Sequence, residues 1–292
     1  MNHTVKVFSP LAQFIGLVQL IRPRQWIKNV FVLAPLLFTG SFLNPQSIAQ
    51  AVVAFCLFCL ASSAIYIIND LHDIESDRQH PLKKLKRPLA SGLVTTPLAL
   101  SLLVSLYTIL LLAWLIAPNV LLVITAYTVL NLAYTFVLKT QPVVDIFIIA
   151  LGFVLRIYAG AVALHVPVSA WMFITTLCLA LYLAAIKRRQ ELRQNGSESR
   201  PVLKHYSVSL VDRYAEMSAM GALVFYSMFV MSSHQELVIS IPIVLFGLFR
   251  YWYVVEQLEG GESPTDVLFE DWPLLATSAV WVGTCAWFLW PH

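Results

Sequence analysis

Charge is what this sequence has least of. Asp, Glu, Lys and Arg make up 12% of its 292 residues, against about 25% in an ordinary soluble domain. With 59% hydrophobic residues and a mean hydropathy of +0.75, the chain cannot present a water-facing surface all round, and a soluble globule is excluded. The net charge of +3 is too small to serve a nucleic acid backbone. Cysteine is also scarce. Of the four, Cys56 and Cys59 form a CxxC inside an apolar run, and Cys178 and Cys285 stand alone in others. Thiols placed so pack as small apolar groups rather than as a redox or metal site. Lys6 is not followed by a short apolar core with a small-residue cleavage site, so no cleavable signal peptide is expected. No internal repeat is visible, which speaks against a transporter built from repeated halves around a midplane site.

What is there reads as an all-α polytopic membrane protein. A spanning helix needs about 20 mainly apolar residues. Nine such windows fit: 25–43, 47–69, 96–117, 119–138, 142–164, 168–187, 208–232, 237–256 and 272–290. Pro45, Pro97, Pro118, Pro142, Pro167, Pro242 and Pro273 fall at or near their starts, where a missing N–H is harmless. Connections with nearly all the charge alternate with short uncharged ones. None of the 19 basic residues then lies in a loop of the uncharged side. Because Lys and Arg are retained in the cytoplasm, the N-terminus and the charged loops are expected there, in a bacterial-type inner (plasma) membrane, with the C-terminus outside. One domain is expected over 1–292, residues 1–20 forming a cytoplasmic N-terminal arm.

The chain is organised around one polar stretch, Asn69 to Arg87, reading NDLHDIESDRQHPLKKLKR between apolar runs. If the entering helix continues through Asp77, then Asp70, Asp73 and Asp77 share one face, within about 60° of arc, with Tyr66 on the same side and Glu75 pointing away. Three crowded carboxylates repel one another unless a cation sits among them. Oxygen-only ligands favour Mg²⁺, with Mn²⁺ as the alternative ion, over zinc. The following Lys83, Lys84, Lys86 and Arg87 could then help hold a diphosphate. The competing reading is a helix end whose charges sit in water and set topology.

Polar residues inside spanning helices are costly, and are paired or functional. Asp145 and Arg156 share a face of the fifth window but stand about 16 Å apart along the axis, too far to bond. Arg156 needs either a carboxylate on a neighbouring helix or a substrate phosphate. Asn131 and Tyr134 could face the same cavity or bond between helices. At the end of the sixth window, Lys187 and Glu191 are i and i+4 in KRRQEL, with Gln190 in phase, offering a cation, an amide and a carboxylate together. Arg188 and Arg189 read as topology anchors. The stretch Glu256–Asp271, with Gly260, Gly261 and six acidic residues, reads as a lid or a solvated connector.

These residues carry a resemblance. NDLHDIESD resembles the NDxxDxxxD signature of the UbiA prenyltransferase superfamily. RPRQWIKN at 22–29, KRPLASG at 86–92, the stretch around Lys139 and Asp145, LRIYAGA at 155–161 and KRRQEL at 187–192 are similar to its branch that acts on polyprenyl phosphates. The superfamily implies nine helices around a central cavity open to the membrane, with a cytoplasmic Mg²⁺-diphosphate site. Its aromatic prenyltransferases carry a second DxxxD where this chain has Lys187 and Glu191. Exchanging a carboxylate for an ammonium removes a metal ligand and supplies a phosphate ligand.

The resemblance therefore implies transfer of 5-phosphoribose from phosphoribosyl diphosphate to a polyprenyl (decaprenyl-type) phosphate. The alternative is an aromatic prenyltransferase using a polyprenyl diphosphate. In the first reading Asp70, Asp73 and Asp77 hold the metal, assisted by Asn69. Arg78, Arg87, Lys187 and Glu191 are expected to bind the soluble donor. Arg24, Lys28, Lys139 and Arg156 are expected to bind the lipid phosphate or the donor 5-phosphate, with Tyr66 and Tyr134 lining the same site. The bilayer is the other expected partner, and self-association is left open.

Overall fold

The computed structural model describes residues 9–79, 83–196, 200–257 and 264–290. Among these residues thirteen α-helices follow in chain order: α1 (Pro10–Ile21), α2 (Ala34–Phe38), α3 (Pro45–His72), α4 (Ile74–Gln79), α5 (Lys83–Lys86), α6 (Thr96–Ala113), α7 (Pro118–Phe136), α8 (Val144–Ala163), α9 (Ala170–Asn195), α10 (Val208–Ser233), α11 (Ile241–Gln257), α12 (Pro264–Glu270) and α13 (Trp272–Phe288). Among the described residues no strand is present. Seven segments are long and apolar enough to cross a membrane: α3, α6, α7, α8, α9, α10 and the run Gln235–Gln257 that contains α11. The protein is an integral membrane protein.

The count of nine full spans is not confirmed among the described residues, and the two outer windows are where it falls short. Instead of one helix over 25–43, the structure has a 3-10 segment Pro23–Leu33 that turns into the short α2. Pro23 and Pro35 interrupt the N–H ladder. The segment's polar side chains find partners inside the bundle: Asn29 donates to Ser62 Oγ at 3.1 Å, and Trp26 Nε1 to Ser63 Oγ at 3.0 Å. The last apolar window becomes α13, 17 residues long. The expected arm 1–20 contains a helix, α1, started by Ser9 accepting from the Ala12 N–H. Helix starts otherwise follow the sequence: Asn44, Ser207 and Asp271 cap α3, α10 and α13 through their side chains.

Two packed halves meet at a seam. Phe58, Ala61 and Ile65 of α3, Leu110 of α6, Ile124 and Tyr127 of α7 and Ala159 of α8 form one core. Tyr182 and Ile186 of α9, Val211 and Ala215 of α10 and Tyr251 and Val255 of α11 form the other. Ile146 and Ala150 of α8 meet Ala180, Leu181 and Ala184 of α9 along the seam. Small residues let helices approach closely where lipid supplies no hydrophobic drive between them. The tightest approach is at Gly160, where an added Cβ would stand 1.8 Å from the Val32 carbonyl oxygen. This contact presses the Pro23–Leu33 segment, and with it Lys28 and Asn29, against α8.

Candidate active site

The acidic stretch does not form one continuous face. α3 ends at His72, Asp73 adopts φ −93° and ψ 6°, and α4 starts afresh at Ile74. Asp70 and Asp77 are buried, while Asp73 is 40% exposed. Asp70 Oδ1 accepts from Arg22 Nη2 at 2.5 Å and from Arg87 Nη1. Arg87 Nε also lies 4.0 Å from Asp77 Oδ2. Asp73 turns instead to Lys139 Nζ, at 3.2 Å. Among the described residues, no three His, Cys, Asp or Glu side chains stand together as a metal cluster. The expected triad thus has two buried members and a third, Asp73, partly exposed at the kink between α3 and α4 and paired with Lys139.

Around this pair the partners come from distant parts of the chain. Asn69 accepts from Thr135 Oγ1 of α7. Tyr66 lies beneath the Arg22 guanidinium, 4.8 Å from ring centre to Cζ. Arg78, expected at the site, pairs with Glu75 at 3.0 Å on the exposed side of α4. Arg24 is exposed. Of the expected substrate-binding residues, Arg87 and Asn69 join the cluster, and Arg78 and Arg24 do not.

A deeper group of cations lies beside it. Arg156 is buried, and its protein partners are neutral groups rather than a carboxylate of a neighbouring helix. Nε donates to Asn29 Oδ1 at 2.8 Å, Nη1 to the Gly152 carbonyl at 2.7 Å and Nη2 to Tyr127 OH at 3.3 Å. The rings of Phe58, Tyr127 and Phe153 surround its Cζ at 5.0–5.2 Å. With neutral partners only, its charge stays uncompensated by these contacts. Burial, together with the charges of Lys187, Arg156 and Arg22 and against that of Asp266 of α12, disfavours the protonated form of Lys28. An anion entering beside these groups would be attracted and would restore that charge.

The end of α9 holds a second polar cluster. Arg188 and Arg189, read as topology anchors, are both buried. Arg188 donates to Asp145 at 2.7 Å, to Glu191 at 2.5 Å and to Tyr134 OH at 3.2 Å. Arg189 joins Asp212 at 2.6 Å and Glu256, so anchoring to water is corrected in both cases. Asn131 bonds within its own helix, to the Tyr127 carbonyl, whereas Tyr134 bonds between helices. Tyr206 OH donates to Asp145 at 2.6 Å and accepts the Val143 N–H at 2.6 Å. Burial, reinforced by the Asp145 carboxylate, pushes the Tyr206 phenol up and keeps it a proton donor. Consecutive residues of α7 tie the clusters together, Tyr134 to Arg188 and Thr135 to Asn69. Gly260 and Gly261 lie outside the described residues. The expected lid stretch otherwise shows α12 and a two-pronged pair from Arg250 to Asp271, at 3.0 and 2.7 Å.

Two carboxylates beside a nest of cations at one end of a helical bundle can receive phosphorylated ligands with a hard cation. Residues 30–269 match the UbiA prenyltransferase family. The chain belongs to that family. It is 35% identical to the decaprenyl-phosphate phosphoribosyltransferase of Mycolicibacterium smegmatis, over 92% of this chain and 91% of the relative. The Mycobacterium tuberculosis protein of the same name is 33% identical over 97% of both. A solved UbiA homolog from Archaeoglobus fulgidus bound to GPP and Mg²⁺ aligns with a TM-score of 0.72, over 94% of this chain and 99% of that one, at 19% identity. At that identity the likeness speaks for the fold alone.

As a UbiA-family site, this one fits a divalent cation in its donor chemistry. Asp70 Oδ2 is buried without a hydrogen-bond partner, an orphaned anionic oxygen of the kind a hard ion seeks. Asp77 shares Arg87 with it, and Asn69 is its chain neighbour. Sequence reasoning missed Arg22, Thr135, Arg188 and Tyr206. One signal pointed to Arg188: a lone Asp145 at the start of an apolar helix calls for a cation, and Arg156 was out of reach.

Proposed function

We propose that this protein transfers 5-phosphoribose from phosphoribosyl diphosphate to a polyprenyl phosphate and releases diphosphate. The observation that carries the proposal is the buried Asp70–Asp77 pair met by Arg22 and Arg87, with Asp70 Oδ2 unpartnered. Carboxylates and guanidiniums side by side suit a cation-bound diphosphate and offset the repulsion between two phosphorylated substrates. The identity to phosphoribosyltransferases over nearly the whole chain supports the same reading.

The bond from ribose C1 to the diphosphate oxygen breaks, and one from C1 to an oxygen of the lipid phosphate forms. That acceptor is already ionised at neutral pH, so no side chain need remove a proton. Positive charge at C1 is shared with the ring oxygen as diphosphate departs. Asp70 and Asp77 would hold Mg²⁺, with Asp73 and Asn69 beside them. When bound, the ion neutralises charge on the leaving diphosphate. Arg22 and Arg87, held by Asp70, turn to the diphosphate oxygens. Lys187 and Lys28 bind the remaining phosphates, Glu191 accepts from a ribose hydroxyl, and Lys139 closes the rim beside Asp73. Arg156, held by Asn29, Gly152 and Tyr127, acts through its field. The charged end faces the cytoplasm, where the soluble donor is, and the polyprenyl tail lies against apolar helices within the bilayer.

The test is incubation of purified protein with radiolabelled phosphoribosyl diphosphate, a polyprenyl phosphate and Mg²⁺. Label should enter the lipid phase and should not do so when the ion is chelated. Prenylation of an aromatic acid, with no label in the lipid, would overturn the assignment and leave the fold standing.

A further inference from the structure

We infer that Arg188 is a positioning residue for the soluble donor: one buried guanidinium sets the places of Glu191 and Tyr134 by holding α7, α8 and α9 together. The inference rests on the phosphoribosyl-transfer reading. Three nitrogens of the same fork reach three helices. Nε goes to Asp145 of α8 at 2.7 Å, Nη1 to Glu191 on its own helix at 2.5 Å and Nη2 to Tyr134 of α7 at 3.2 Å. The Arg188 side chain is 1% exposed and Asp145 0%, so this pair cannot be a solvated anchor.

The far side of Asp145 is closed as well. Its Oδ1 accepts from Tyr206 OH, and that oxygen accepts the N–H of Val143. Val143 has φ +68°, a conformation a β-branched residue adopts only where the surroundings impose it. The turn into α8 is thus pinned to the same charge that fixes Arg188. The other end of the network opens to the rim, where Glu191 Oε1 lies 3.3 Å from Arg200, a side chain 41% exposed. Glu191 therefore has one oxygen locked by a buried cation and the other facing a cation at the cytoplasm-facing rim. An incoming donor can displace Arg200 from Oε1 while Arg188 keeps the carboxylate in place.

A lysine cannot replace this arrangement. Its ammonium is a single point at the end of a flexible stem, whereas the fork spans acceptors on three helices in a fixed plane. Arg188→Lys keeps the charge and hence tests geometry rather than burial of an unpaired carboxylate. We expect the KM for phosphoribosyl diphosphate to rise about 10- to 100-fold, with the KM for polyprenyl phosphate within about two-fold of wild type. Asp145→Asn should show the same selectivity. Arg188→Lys combined with Glu191→Gln should raise the donor KM by clearly less than the product of the two single effects, because both act on Glu191.

A general structural role predicts otherwise: both KM values and kcat worsen together, and the two substitutions multiply. Either result, in a wild-type protein that does transfer phosphoribose, overturns the inference and leaves the function standing. A Lys variant too unstable to purify is replaced by Tyr134→Phe, which removes one fork contact and keeps the ring; wild-type donor KM in that variant also overturns the inference. If the wild-type protein transfers no phosphoribose at all, the functional reading fails and this inference with it.

Discussion

Replacing Asp70 by Asn separates what this residue does for the fold from what it does for chemistry. Asn keeps the volume and one acceptor but removes the charge between two guanidiniums. Both Arg22 and Arg87 bond the same Asp70 oxygen, so their nitrogens lie about 4 Å apart. At an effective dielectric of about 20, two unit charges at that separation repel by about 4 kcal/mol. The arginine side chains are 25% and 31% exposed, and water reaching them lowers the cost to about 1–2 kcal/mol. Such a loss is too small to unfold a well-packed bundle, and the variant should insert and purify. Turnover is another matter. The unpartnered Oδ2 is the oxygen best placed to take a metal, and losing it should remove several kcal/mol of transition-state stabilisation, on the order of 10²-fold or more in rate. The assay pairs initial rates from labelled donor at saturating Mg²⁺ with thermal denaturation in detergent. Near-wild-type turnover would refute the reasoning and make Asp70 a clamp for Arg22 and Arg87 and nothing more. A variant that fails to fold would show that water screens the two arginines far less than their exposure implies.

Other expectations follow from the same contacts. Asp73→Asn should lower turnover less than Asp70→Asn, since Asp73 is half exposed and faces Lys139; equal losses in the rate assay would restore a triad of equal ligands. Lys187→Ala should raise the donor KM or lower kcat by roughly 10- to 100-fold, the scale of one charge-assisted contact, and unchanged donor kinetics would return Lys187 to a topology anchor. Gly160→Ala places a Cβ 1.8 Å from the Val32 carbonyl oxygen, and overpacking of this kind costs about 1–3 kcal/mol; it should lower the denaturation temperature, and an unchanged midpoint would show that the Pro23–Leu33 segment yields freely. In a cysteine-free background, Lys84→Cys should be shielded from an impermeant thiol reagent in intact cells and Gln235→Cys should react. The reverse pattern would invert the orientation.

The helices of the middle of the chain were legible because hydropathy alone dictates them. Windows of about 20 apolar residues found α3, α6, α7, α8, α9 and α10 with starts marked by proline or a capping side chain. The same windows failed at 25–43, and the reason is specific. Hydropathy averages over a segment in which several polar residues have inward partners: Asn29 bonds Ser62 and Arg156, and Trp26 bonds Ser63. Their placement is decided by α3 and α8, not by local periodicity. A proline on either side then allows the backbone to leave the α ladder.

The site divides along the same line. Asp70, Asp77, Asn69 and Arg87 were readable because acidic and basic residues packed this densely between two membrane helices stand out against the apolar runs on either side. The common face with Asp73 was not, because periodicity assumes an unbroken helix, and the break is stabilised by the non-local Lys139 contact and by Ser76 Oγ bonding the Asp73 carbonyl at 2.9 Å. Arg188 shows the limit of reading charge by position. One residue along a helix is a turn of about 100°, enough to take a cation from a solvated rim to a sealed seam. Which carboxylate each of the adjacent basic residues meets is determined by where the carboxylates of other helices stand. Asp145 demanded a cation, and Arg156 stood too far along the same helix, so Arg188 of α9 supplies it beside the Tyr206 hydroxyl. The unpaired charge in the sequence was thus the real signal, and following it, rather than the density of positive residues, leads to the network that orders this end of the bundle.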